Sequence, residues 1–162
     1  MAYSQILRRL RQEKTNYRKR RNLLMGRRDF ITVQISSENT LVQIHKPEMQ
    51  GDKVLASAHS RSLLGRGWKG SRKSIPAAYL TGYLAGKKAL SHGTKDAVLY
   101  SGTRRYTQRM AAALKGVIDA GLQVPADEET FPDKERLAGK HLKVTNDVNK
   151  VKSTIDSEVK TK

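Results

Sequence analysis

The chain contains no cysteine. Disulfides, zinc knuckles and thiol nucleophiles are therefore excluded, and nothing marks an oxidising compartment, so the expected location is the cytoplasm. Aromatic residues are sparse, with one tryptophan and two phenylalanines among 162 residues. Long apolar runs are missing as well. The best of them, Ile75 to Leu90, is interrupted by Pro76, Thr81, Gly82, Gly86, Lys87 and Lys88, so no membrane span is expected, and the N-terminus has no stretch of signal-peptide type. Negative charge is also scarce: 15 Asp+Glu face 32 Lys+Arg, a formal net charge of +17.

The position of that excess is informative. Residues 126–162 balance eight basic against eight acidic side chains, so the whole surplus lies in residues 1–125. Ten lysines and arginines fall within residues 1–28, opposed only by Glu13. A segment that repels itself so strongly requires a polyanion to lie against, and RNA is the natural one. Anionic lipid is a poorer fit, because the apolar face of the arm is thin and lacks Trp and Phe. The length suits one core with extensions. The expected division is a basic arm over 1–28, a globular α/β body over 29–125 and a charged extension over 126–162.

Two short helices are expected in the arm, over about 4–13 and 16–25, with Thr15 or Asn16 as a cap and Gly26 as a stop. So few apolar residues predict an arm that orders on its partner. Period-two alternation then marks strands at Phe30–Ser36, Leu41–His45 and Lys53–His59, separated by turns at Ser37–Asn39 and Gln50–Asp52. Ser74 and Pro76 open a helix running to about Ser91. Its Ala78, Gly82, Ala85 and Ala89 form a small-residue stripe suited to close packing. Ala97–Tyr100 has strand length, and Thr107 caps a helix carrying Met110, Leu114, Val117 and Ile118, ended at Gly121. The order βββαβα predicts one α/β (α+β) domain with a mixed sheet and both helices on one face. After Pro125 the apolar periodicity weakens into a linker and charged segment.

Catalytic readings fail one by one. Ser57, His59 and Ser60 have no acidic residue nearby placed to orient the histidine. His45, His59, His92 and His141 are scattered without metal-ligand spacing. The run Gly82 to Lys88 lacks the spacer and the following Ser or Thr of a phosphate loop. Asp119 has no paired acid, and reads as a solvated or capping residue. No metal, cofactor or small-molecule substrate is expected.

The features pointing to nucleic acid remain. Besides the arm, with Arg8, Arg9, Arg11, Lys14, Tyr17, Arg18, Arg20, Arg21, Arg27 and Arg28, a second basic segment holds Arg61, Arg66, Lys69, Arg72 and Lys73 around Trp68. Glycines 65, 67 and 70 interleave it. Trp68 reads either as a stacking platform for an unpaired base or as a hydrophobic lid. A third segment holds Arg104, Arg105, Tyr106 and Arg109. Three basic segments, each with an aromatic, are expected to form one RNA-binding surface.

Five ordered blocks carry a resemblance between residues 14 and 125: Thr15 to Leu24, Ala56 to Ser60, Gly67-Trp68-Lys69, Ile75 to Gly82 and Ala113 to Leu122. Together the chain resembles the archaeal and eukaryotic form of ribosomal protein eighteen of the large subunit, the 5S rRNA-binding family. The resemblance implies a non-catalytic ribosomal protein that holds 5S rRNA in the central protuberance, with large-subunit rRNA and neighbouring ribosomal proteins as further partners. By match to the arm motif it gives Lys14, Tyr17, Arg18, Arg20 and Arg21 an rRNA-contact role. Arg136 to His141 loosely resembles a basic family segment that follows the body.

Two departures stand out. Phe30 to Glu38 replaces a Lys/Arg-rich first strand and turn, which leaves RNA contacts from that hairpin in question. Tyr100 to Arg109 is closer to the bacterial form, and it is from that pattern that Arg105, Tyr106 and Arg109 are carried over as RNA contacts. The rival class is a standalone RNA chaperone or an RNA-processing enzyme, for which an acid cluster, metal constellation or cofactor loop is the missing signature.

Overall fold

The computed structural model describes residues 8–140, 142 and 148–160, so the start of the first expected helix and His141 lie outside the described residues. The alternating segments form three strands, β1 (Asp29–Ile35), β2 (Thr40–Lys46) and β3 (Lys53–His59), joined as an antiparallel meander. A fourth, β4 (Ala97–Leu99), pairs in parallel with β1, from Asp29 opposite Ala97 to Ile31 opposite Leu99. The mixed sheet has the order β3-β2-β1-β4.

Register explains its two faces. Ile31 lies opposite Ile44 and Val33 opposite Val42, while Ala56 and Ala58 continue the rows onto β3. All six are buried in the core. The alternate residues, Thr32, Gln34, Gln43 and Ser57, form a polar second face, because successive side chains on a strand point to opposite sides.

Two helices, α3 (Ile75–Ser91) and α4 (Gln108–Asp119), cover the apolar face. Each begins where a hydroxyl satisfies an orphan backbone donor: Ser74 Oγ accepts from the Ala77 N–H and Thr107 Oγ1 from the Met110 N–H. Their contact is built on glycine. A Cβ on Gly82 would lie 1.9 Å from the Ala113 carbonyl oxygen, and one on Gly116 would lie 2.1 Å from that of Tyr79. The small-residue stripe is thus a packing seam against α4.

The arm contributes α1 (Arg8–Arg11) and α2 (Tyr17–Met25), with Asn16 Oδ1 capping the latter. Beyond the body, a short helix α5 (Lys134–Ala138) precedes α6 (Val148–Lys160). The weak periodicity after Pro125 does not reveal α6, yet its Val151 and Ile155 enter the core beside α3. Polar contacts complete that docking. Tyr83 Oη donates to Asp156 Oδ1 at 2.7 Å, Lys152 Nζ donates to Tyr79 Oη at 3.2 Å, and Arg66 donates two hydrogen bonds to Glu158 Oε2. Asp119, expected as a solvated or capping group, accepts the Tyr79 hydroxyl at 2.8 Å and pairs with Lys115. Among the described residues no helix is long and apolar enough to cross a membrane.

Candidate nucleic-acid interface

The arm is seated on the polar face of the sheet. Arg20 lies over the ring of Phe30, 5.3 Å from its centroid, and over that of Tyr100, at 5.6 Å, while its guanidinium pairs with Asp52. The two rings stack on each other 5.5 Å apart. Lys19 Nζ donates to Ser101 Oγ at 3.0 Å, and Arg9 Nε donates to Thr15 Oγ1 at 2.9 Å. The arm, expected to order on its partner, thus has contacts of its own with the body. Apolar burial is not what holds it; cation–π contact and an ion pair on one arginine do.

Arg20 is thus turned inward, with a side chain only 24% exposed, and its protonated form is favoured by the hydrogen bond to Asp52. Arg8, Arg11, Lys14, Arg18, Arg21 and Arg27 are exposed, with no ion pair among the described residues. Arg28 stands 3.6 Å from Asp96. Tyr17 leaves 39% of its surface open. Backbone geometry fixes where the arm bends: Glu13, after α1, has φ +50°, and Arg27, between α2 and β1, has φ +51°. Both are non-glycine residues in left-handed conformations.

The second basic segment divides in two. Arg61, Lys69 and Lys73 are exposed. Arg66 is bound to Glu158 and to the Ser62 carbonyl, and Arg72 pairs with Glu38. Trp68 is 2% exposed, with Nε1 3.4 Å from the Ser71 carbonyl. It is the lid of the two alternatives, and the stacking alternative is withdrawn because the indole has no open face. Its position follows from Gly67, whose φ of +86° ends the 3-10 turn Ser60–Arg66 and folds the chain back over the core. Ser60 and His59 are also occupied locally: Ser60 Oγ accepts from the Thr40 N–H, and His59 Nδ1 accepts from the Arg61 N–H.

In the third segment Arg104, Arg105 and Tyr106 are exposed and Arg109 is half-buried. This loop joins the other two. At its start Ser101 holds Lys19 of the arm; at its end Arg109 shares a cleft of about 720 Å³ with Lys73 of the second segment. Arg104 borders a smaller cavity with His59 and the β1–β2 turn. The three basic segments are consequently contiguous. Sequence reading gave no interface role to Lys19, and only loosely singled out Arg136, which lines the Lys73–Arg109 cleft. It also missed the groove of about 850 Å³ between the arm and the sheet, floored by Thr32, Gln34 and His45. Burial holds the His45 imidazole below its usual range, so that floor is uncharged at neutral pH.

The family model described as "Ribosomal large subunit proteins 60S L5, and 50S L18" matches residues 2–108. The large ribosomal subunit protein uL18 of Thermofilum pendens is 43% identical over 142 residues, covering 86% of this chain and 72% of that protein. Its counterpart in Aeropyrum pernix is 44% identical over 143 residues, covering 86% and 67%. That of Methanothermobacter thermautotrophicus is 42% identical over 142 residues, covering 86% and 74%. The likeness runs through arm, sheet and both central helices, well beyond what a shared fold alone requires, and the chain belongs to the family of large-subunit ribosomal proteins 60S L5 and 50S L18, in its archaeal form.

Proposed function

We propose that the chain binds 5S rRNA and helps to anchor it in the central protuberance of the large subunit, beside large-subunit rRNA and neighbouring ribosomal proteins. Family membership makes it a non-catalytic structural protein of the ribosome in the cytoplasm. The observation that carries the finer reading is the continuity of its basic segments, from the arm through the 100–109 loop to Lys73. Such a band follows a phosphate backbone, and its unpaired cations release counterions when RNA binds. The contacts are assigned to Arg8, Arg11, Lys14, Arg18, Arg21, Arg27, Arg61, Lys69, Lys73, Arg104, Arg105, Tyr106 and Arg109, with Tyr17 and Arg9 at the groove. Arg20, Arg28, Arg66 and Arg72 support the fold through their ion pairs.

Binding of 5S rRNA measured across salt concentration tests this. An arm neutralising five or more phosphates gives a log–log slope of about −3.5 or steeper, at roughly 0.7 per phosphate. A nearly flat response overturns the reading. In cell extracts the chain sediments almost entirely with the large subunit, whereas a free RNA chaperone or processing enzyme leaves a large unbound pool.

A further inference from the structure

We propose that the groove between α2 and the polar face of the sheet receives an unpaired base of the bound rRNA, laid against Tyr17 with its flanking phosphates on Arg9 and Lys14. This rests on the rRNA-binding reading and adds which part of an RNA the groove takes. Its volume of about 850 Å³ falls within the range of roughly 300–1,000 Å³ typical of small-ligand sites.

The lining is layered by chemistry. Arg9 and Lys14 are exposed cations at the rim. One wall, on α2, presents Tyr17 and Leu24, each 39% exposed; the other is the β2–β3 turn, where Met49 is fully exposed. The floor is neutral and polar. Thr32 Oγ1 and His45 Nε2 lie 2.7 Å apart, and Gln34 is exposed beside them. Of the carboxylates that line the groove, Asp52 is neutralised by Arg20, and Glu48 is exposed on the turn.

A paired A-form helix has no use for such a site. It offers phosphates and 2′-hydroxyls outward and keeps its base faces stacked, whereas an unpaired nucleotide brings a flat face for a tyrosine ring, edges for amides and hydroxyls, and a phosphate for the rim. The apolar walls also have a reason to be exposed, since a soluble chain of this charge otherwise gains nothing from an open tyrosine, leucine and methionine around one groove. The occupant is RNA because the rim and the chain as a whole are strongly positive.

The test uses the full chain and two probes, a 5S rRNA transcript and a fully paired RNA duplex of the same length, each titrated across salt. Tyr17→Ala is expected to weaken 5S rRNA binding about 5- to 100-fold while leaving duplex binding and the salt slope unchanged, because stacking releases no counterions. Tyr17→Phe keeps wild-type affinity. Met49→Glu, on the opposite wall and fully exposed, lowers 5S rRNA affinity more than duplex affinity. Equal losses on both RNAs, or no loss in either variant, overturn the base-binding inference while the steep wild-type slope keeps the rRNA-binding reading intact. A wild-type chain that does not bind 5S rRNA overturns both.

Discussion

The guanidinium of Arg20 lies 5.3 Å over the ring of Phe30, a completely buried residue of β1 that Tyr100 also stacks against. One arginine thereby does what an apolar helix face ordinarily does. Arg20→Ala removes the cation–π contact and the Asp52 ion pair together and is expected to cost about 1–2 kcal/mol. Amide hydrogen exchange is expected to show protection lost over residues 8–25, with the core strands unchanged. Deleting residues 1–25 leaves cooperative unfolding in place at a lower melting temperature, since Ile31, Val33, Val42 and Ile44 pack on the other face. Arm amides as protected in the variant as in the wild type would refute this account of the seating.

Trp68 is expected to matter for stability and little for RNA. Removing a fully packed indole costs about 3–5 kcal/mol. Trp68→Ala therefore lowers the melting temperature strongly, and under conditions where the variant is still folded its salt slope for 5S rRNA equals that of the wild type. Weakened binding with unchanged stability would restore the stacking role.

Gly82→Ala tests the α3–α4 seam. Alanine favours a helix over glycine by about 1 kcal/mol, but here its Cβ meets the Ala113 carbonyl at 1.9 Å, a backbone atom that cannot swing aside. Overpacking typically costs about 1–3 kcal/mol, and this contact belongs at the upper end. Thermal unfolding decides the sign: a melting temperature at or above the wild type would mean that the helices separate at no cost.

The elements most readable in the sequence were those in which one local signal sufficed. Alternation gave β1 to β3, and Ser74 and Thr107 marked the starts of α3 and α4, because caps and period-two burial act within a few residues. Where sequence reading failed, the cause was long-range. Val148, Val151 and Ile155 form a short stripe in a charge-balanced segment, and only the distant Tyr83 and Arg66 reveal that α6 docks. Trp68 remained ambiguous because glycine and cations beside an indole suit both a lid and a stacking platform. The basic character of the interface was evident from composition, but Arg66 and Arg72 were assigned to it because their partners, Glu158 and Glu38, are distant in sequence.

The docking of α6 is expected to weaken in acid. Burial tends to raise the Asp156 carboxyl, but hydrogen bonds from Tyr83 and Lys87 outweigh it and hold the group below the usual carboxylate range. The folded state therefore binds this proton less readily than the unfolded chain, so the contribution is present above the ordinary value of about 4 and fades as pH falls through the lowered one. Asp156 is more than a third exposed, so the effect is a local loosening. Hydrogen exchange of α6 between pH 6 and pH 3 measures it, with Asp156→Asn showing the weaker docking already at pH 6. Identical profiles for variant and wild type would assign the docking to Val151 and Ile155 together with the Arg66–Glu158 and Lys152–Tyr79 contacts.

Recognition and charge are separable on the arm. Arg11, Arg18 and Arg21 are exposed on the arm and unpaired among the described residues, whereas Arg20 is committed to Phe30, Tyr100 and Asp52. Guanidinium forks bind phosphates in a planar, two-point geometry and stack on bases, which the point charge of lysine does not reproduce. Replacing these three arginines with lysine preserves the net charge of +17 and leaves the anchor untouched. The variant is expected to keep the wild-type salt slope and its affinity for an unrelated RNA of similar length, yet to lose much of its preference for 5S rRNA in competition at fixed salt. An unchanged preference ratio would reduce the arm to a source of field, and would move recognition to the surfaces that the lysine variant leaves intact, the 100–109 loop with Arg104 and Arg105 and the groove beside Tyr17.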